Sequence, residues 1–202
     1  MREEKRQCRM REIEAVAYAM FAEGGFEGTS MLAVAKRAKA SNETLYRWYG
    51  DKNGMFASMV RANAAMVRDA LVDASEVGGS PLERLSRVAP VLLGMLLGER
   101  AIALNRAAAS DPTGALGQLL AQGGREDVLP LIDGLLRNAV SQGALRAPEG
   151  GGIAGLFVKL LVGDSQIRRV IGTMPAPSEA DVAAQAGLAI GQLCRLCAAG
   201  QP

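Results

Sequence analysis

Apolar residues recur along this chain at helical spacing almost everywhere, and no run alternates with the two-residue, β-branched period of a strand. Ile13, Val16, Ala17, Met20 and Phe21 form one apolar face, and Gly24–Gly25 supplies its stop. Thr29 or Ser30 caps a short helix bearing Met31, Val34, Ala35 and Ala38, and Ser41 caps another through about Trp48. A long helix is predicted from Asp51 to Val77. Gly78-Gly79-Ser80-Pro81 makes a hinge, with Ser80 as cap and Pro81 as first helical residue. Helices follow over 81–97, 99–109, 114–122, 125–142, 153–172 and 179–198. The fold class is therefore all-α with about nine helices, divided into a small unit over 1–52 and a larger one over 53–202.

What the chain lacks narrows its chemistry. It has no histidine, which removes the commonest general base and metal ligand. The three thiols, Cys8, Cys194 and Cys197, are too few for a disulfide framework and fit a reducing compartment. The N-terminus is charged, with no apolar run ahead of a small-residue cleavage site, so a cytoplasmic location without a secretory leader is expected. Val88–Gly98, the longest apolar stretch, is too short to span a bilayer. No nucleophile–base pair, cofactor motif or metal cluster stands out, and neither enzyme activity, cofactor nor metal is expected.

The net charge is only +2, but it is unevenly placed. Arg2, Lys5, Arg6, Arg9 and Arg11 crowd the N-terminal arm, and Lys36, Arg37 and Lys39 precede residues 41–49. Local basic patches suit phosphate contact, and a flexible solvated terminus over residues 2–6 is the other reading. Short helices separated by a few residues trace the outline of a helix-turn-helix, whose second member lies in the major groove of DNA. Residues 41–49, Ser-Asn-Glu-Thr-Leu-Tyr-Arg-Trp-Tyr, fit that member. Leu45 and Tyr49 anchor inward, while Asn42, Glu43, Thr44, Arg47 and Trp48 face out. Asn can pair with adenine, Glu with cytosine, and Arg with guanine or phosphate. Taken alone, Tyr46, Trp48 and Tyr49 read as core aromatics, since aromatics are mostly buried.

Residues 21–56 resemble the TetR family of bacterial regulators. The matching run is Phe21, Gly25-Phe26, Thr29-Ser30-Met31, Val34-Ala35, Ala38, Ser41, Thr44-Leu45-Tyr46, Tyr49, Lys52 and Met55-Phe56. The resemblance implies that Thr29 and Ser30 put a helix N-terminus against a phosphate. It also implies that Thr44, Tyr46 and Lys52 hold the DNA backbone, that Asn42, Glu43, Arg47 and Trp48 read sequence, and that Ser41 belongs to the same DNA-binding set. The chain departs from the family pattern at Glu43, where a small residue is common, at Tyr49 for Phe, at Lys39 for Gly and at Ala40 for Val.

The rest of the chain matches that family only in length and helix number. By resemblance, its middle helices enclose an effector pocket, for which Met66, Leu92, Met95, Leu96, Asn105, Phe157 and Leu161 are the candidates, and the effector is small and largely apolar. By the same resemblance the last two helices pair two protomers, through a stripe of Ala183, Ala186, Gly187, Ile190, Leu193, Cys194 and Cys197. Cys194 and Cys197 on one helical face point to packing rather than redox or zinc chemistry. Asp164, Gln166, Arg168 and Arg169 form a polar cluster that reads as a solvent face or dimer rim, or else as a ligand or interface network. The function implied is a repressor that binds a palindromic operator as a homodimer, does not engage membranes, and is released by its effector. An all-α enzyme and a protein-binding scaffold are the two rival readings.

Overall fold

The computed structural model describes residues 2–198, which hold eleven α-helices, one short π-helical segment and no strand. The helices are α1 (Arg2–Gly24), α2 (Met31–Arg37), α3 (Asn42–Tyr49), α4 (Lys52–Val77), α5 (Pro81–Leu97) and α6 (Glu99–Ser110). They continue as α7 (Ala115–Leu120), the π segment (Ala121–Arg125), α8 (Glu126–Ser141), α9 (Ile153–Val162), α10 (Ser165–Val170) and α11 (Glu179–Leu196).

The described arm is helical where a flexible terminus was the alternative. Glu3 and Glu4 in its first turn suit the positive end of the helix dipole, and Arg6 pairs with Glu3 at 3.6 Å. Arg9 ties the arm down by donating to the carbonyls of Ala38 and Lys39, at 2.7 and 3.0 Å. Lys39 itself sits at φ +51°, the left-handed region that a glycine usually fills. Arg9 therefore braces the strained turn between α2 and α3.

The helix expected over 153–172 is two. Gly163 turns left-handed (φ +52°), its N–H returns to the Lys159 carbonyl, and the chain restarts as α10. The stretch around Gly123–Gly124 runs without interruption from α7 into α8 by widening to a π turn. A Cβ at Gly123 would stand 3.0 Å from Val60 Cγ1, so glycine eases the close approach of this turn to α4. No single helix among the described residues is long and apolar enough to cross a membrane, and α5 and α6 are bent by 49° at Gly98.

The interior forms two clusters. The first joins Ile13, Phe21, Phe26, Val34, Leu45, Tyr49 and Phe56 to Leu104 and Leu116. Every aromatic residue except Phe157 lies between Tyr18 and Phe56, so the small head is filled by large rings, with Phe26 edge-on to Phe21 and Phe56 at 5.3 and 5.7 Å. The second cluster packs α5, α8, α9 and α11 around Leu85, Leu93, Ile132, Leu136, Phe157 and Leu193. α4 supplies Met55–Val60 to the first cluster and Ala64 and Val67 to the second, and is the rod that joins them. Position 52 is thus the start of the connecting helix, and the head's core continues beyond it.

Candidate DNA-reading face and ligand cavity

α3 is set at both ends by local chemistry. Ser41 accepts the Thr44 N–H at 3.1 Å, and its hydroxyl lies 2.7 Å from that of Thr44. At the other end Gly50 turns with φ +78°, and Asp51 caps α4 by accepting the Gly54 N–H at 2.7 Å. Leu45 and Tyr49 are buried, and Trp48 is half-buried against the first core. Asn42, Glu43 and Arg47 are exposed, and Tyr46 is 50% exposed for so large a ring. Ser30 caps α2 by accepting the Ala33 N–H at 3.1 Å, leaving that helix start open to solvent. Lys36, Arg37 and Lys39 are exposed beside this face, although Arg37 is paired with Glu23 at 2.7 Å. Glu43 lies 3.6 Å from Arg47, one turn away, so in the free protein the acid partly neutralises the arginine beside it.

Two residues expected at the DNA backbone are engaged inside the protein. Thr29 is 3% exposed, and its hydroxyl donates to the Gly25 carbonyl at 2.9 Å. Lys52 donates to the Phe26 carbonyl at 3.1 Å, covers the Phe26 ring at 4.2 Å and meets Glu27 at 3.7 Å. Both fasten the loop between α1 and α2. The family motif carries them, but motif spacing does not reveal which carbonyls lie within reach.

Within the head, α1 is locked to the start of α4 through Glu14, a buried acid on α1. Ser58 of α4 donates to it at 2.8 Å. Burial raises its pKa above the ordinary 4.5, and the Ser58 bond, Arg100 and Arg61 draw it only partly back. A raised acid contributes stability that is present below its unfolded pKa and lost as pH rises through its folded one. Glu14→Gln keeps the acceptor for Ser58 and removes the buried charge. The variant should therefore gain stability over wild type as pH rises above the ordinary carboxylate range, in paired denaturant melts. A stability difference that does not change with pH would contradict the raised pKa of Glu14.

Between α4, α5, α6, α8 and α9 lies a cavity of about 470 Å³, within the range of small-molecule sites. Leu92, Met95 and Leu96 from α5 and Asn105 from α6 line it, as the sequence suggested. Three candidates lie elsewhere. Met66 is on the outer side of α4, 49% exposed, and Phe157 and Leu161 are fully buried in the second core. The face of α9 that meets the cavity is Gly155, Val158, Lys159 and Val162. An apolar helix with two buried sides gives no sequence sign of which one adjoins a void. Missed altogether were Asn63, Arg125 and Lys159. Asn63 did leave a trace, since it interrupts the apolar row Met59–Asn63–Val67 at core spacing.

Residues 13–59 match the model of bacterial regulatory proteins of the tetR family, and residues 83–196 match the C-terminal domain of AefR-like transcriptional repressors. The chain belongs to the TetR family. TetR-family members are DNA-binding regulators of transcription, not enzymes, and this chain is one. No curated protein matches its sequence. Among solved structures, a TetR-family regulator from Mesorhizobium loti shares 23% identity at TM-score 0.74, with 94% of this chain and 96% of that one covered. One from Agrobacterium tumefaciens shares 26% at 0.69, covering 94% of each. FadR from Bacillus subtilis, solved in complex with stearoyl-CoA, shares 17% at 0.68, covering 91% of this chain and 96% of FadR.

In this TetR-family chain the stripe on α11 divides. Ala186, Leu193 and Cys197 are buried in the second core, Ile190 and Cys194 are half-buried against it, and Ala183 and Gly187 are exposed. The outward side carries Leu188 and Leu196, both more than half exposed. Burial pushes the Cys197 thiol above its ordinary pKa, the opposite of what a reactive thiolate needs.

Proposed function

We propose that this regulator binds a palindromic operator as a homodimer, represses from it, and is released by a small, largely apolar effector. It would act in the cytoplasm. Residues 1–52 would serve as the reading unit and 53–202 as the effector and dimerisation unit. Asn42, Glu43, Arg47 and Trp48 would face base edges, while Ser30, Ser41, Thr44 and Tyr46 would meet phosphates. Thr29 and Lys52 would support that face from behind. The outward side of α11, with Ala183, Gly187, Leu188 and Leu196, together with the exposed Ile167 and Ile171 of the neighbouring α10 region, would meet the partner protomer.

The observation that carries this reading is the continuity of α4. Its first turns are packed in the core of the head, and its middle, at Val60, Asn63 and Ala64, walls the cavity. A ligand there bears directly on the helix that holds the head. It shifts DNA affinity only by binding unequally to the two arrangements of that helix.

The test is selection of duplex fragments from the source genome, then fluorescence anisotropy at several salt concentrations. Wild type should choose an inverted repeat. Arg47→Ala should cost about 1–3 kcal/mol and relax preference at one position of each half-site, whereas Tyr46→Ala should weaken all sequences alike. Binding with no sequence preference in wild type, or no salt dependence, would reject the operator reading in favour of a protein-binding scaffold.

A further inference from the structure

The residues lining the cavity include two cations and no carboxylate. Arg125 of the π segment and Lys159 of α9 are both exposed, and among the described residues neither has a hydrogen-bond or ion-pair partner. Arginines nearby are committed: Arg68 to Asp127, and Arg106 to the carbonyls of Arg169 and Val170. A cationic ligand would meet like charge here, and an anionic one would meet two free donors.

Deeper in, Asn63 is 7% exposed, and its amide makes no hydrogen bond among the described residues. An amide offers two donors and an acceptor, and those of Asn63 are reached from the cavity, so a ligand filling it must replace the water that would satisfy them. Leucine would continue the apolar row of α4 at this position, so the amide stands against the local pattern of the helix. Most of the cavity lining, Leu92, Leu96, Leu104 and Ile132 among it, is hydrocarbon, and the other two lining amides, Asn105 and Gln166, already donate to the Ala101 and Leu96 carbonyls.

We infer that the cavity takes a small amphipathic anion: a carboxylate- or phosphate-type head at Arg125 and Lys159, an apolar body along the leucine walls, and an oxygen on that body bonded to Asn63. This rests on the reading of the cavity as the effector site and adds the ligand's charge and polarity to it. A plain hydrocarbon body would seal Asn63 from water without a partner, at a cost of about tenfold in affinity. Because Asn63 stands on α4, the residue that reads the ligand's oxygen belongs to the helix that carries the reading head.

Calorimetric titration of the full-length protein with probes of one chain length tests this: decanoate, β-hydroxydecanoate, ω-hydroxydecanoate, decanol and decylamine. Decanoate should bind about tenfold tighter than decanol, with decylamine weakest, and one of the two hydroxy acids should bind several-fold tighter than decanoate. An Arg125→Ala/Lys159→Ala double variant should bring decanoate down to decanol. Asn63→Leu should put decanoate ahead of both hydroxy acids, with circular dichroism melts showing that each variant folds. The order in wild type decides the question even where a variant fails to fold. Decanol or decylamine matching decanoate would overturn the anionic class and leave the effector cavity standing. Hydroxy acids no better than decanoate would overturn the role of Asn63. Failure of every probe to bind at about 1 mM, in a site of this volume, would overturn both this inference and the effector reading.

Discussion

Gly54→Ala is expected to destabilise the protein by about 3 kcal/mol or more, while Gly134→Ala, the same substitution in another helix, should stabilise it by up to about 1 kcal/mol. Both glycines lie inside helices, α4 and α8, where alanine is intrinsically the better residue. What differs is what the new methyl meets. At Gly134 nothing lies within 4 Å. At Gly54 the methyl would stand 1.9 Å from the Tyr49 carbonyl oxygen and 3.1 Å from its carbon, both backbone atoms that no rotamer change can move away. Relief requires α3 to shift against α4. Because Tyr49 closes the helix that presents Asn42, Glu43 and Arg47, the shift also turns the reading face. Urea melts should show the midpoint falling at nearly unchanged slope, and a scan should show melting lowered by roughly 6–12 °C. Operator affinity should drop well beyond the fraction unfolded. A Gly54→Ala protein as stable as wild type would mean that the close approach of α3 to α4 is not a native feature.

The motif run and the helical periods were enough to place the head, because there local signals agree. Ser30, Ser41 and Ser80 each cap the helix their positions suggest, and Gly25 and Gly50 adopt the left-handed turns that end helices. Legibility falls where an outcome depends on which distant group comes near. Gly163 breaks a helix that periodicity alone would carry from 153 to 172. Phe157 and Leu161 share α9 with cavity-lining residues but turn the other way, into the core. The Ala183–Cys197 stripe has one period but two destinations, the protomer's own core and its surface. Thr29 and Lys52 have the residue types of phosphate ligands, yet a carbonyl on the loop before α2 already holds each of them. Sequence gives the phase of a helix and the chemistry of a side chain; tertiary packing decides which side of that phase meets a void, a neighbour or water.

Arg169 is the sharpest case, and its loss should cost about 3 kcal/mol, whereas Arg168→Ala next to it should fall within about 0.5 kcal/mol of wild type. In sequence the pair reads as one polar cluster on a solvent face. In the fold, Arg168 is exposed and only 4.0 Å from Asp164, an ion pair worth little in water. Arg169 is 6% exposed, and its guanidinium donates to the Leu97 carbonyl at 3.1 Å, the Met174 carbonyl at 3.3 Å and Glu99 at 2.5 Å. The reason lies at the end of α5. Its last carbonyls have no helical partner after the bend at Gly98, and Gln166 and Arg169 of the α10 region supply donors to Leu96 and Leu97. The positive guanidinium also suits the negative end of that helix. Arg169→Ala strips two carbonyls of their donor and leaves α10, six residues long, without its main tie. Because Gln166 reaches the cavity from the same helix, the cavity should loosen along with the fold. The measurement is amide hydrogen exchange beside denaturant melts. Protection should fall first over 165–174 and then across the α5–α6 junction, with the head over α2 and α3 least affected. Equal losses for Arg168→Ala and Arg169→Ala would show that the two act as one surface cluster, and that the α5 carbonyls find water instead.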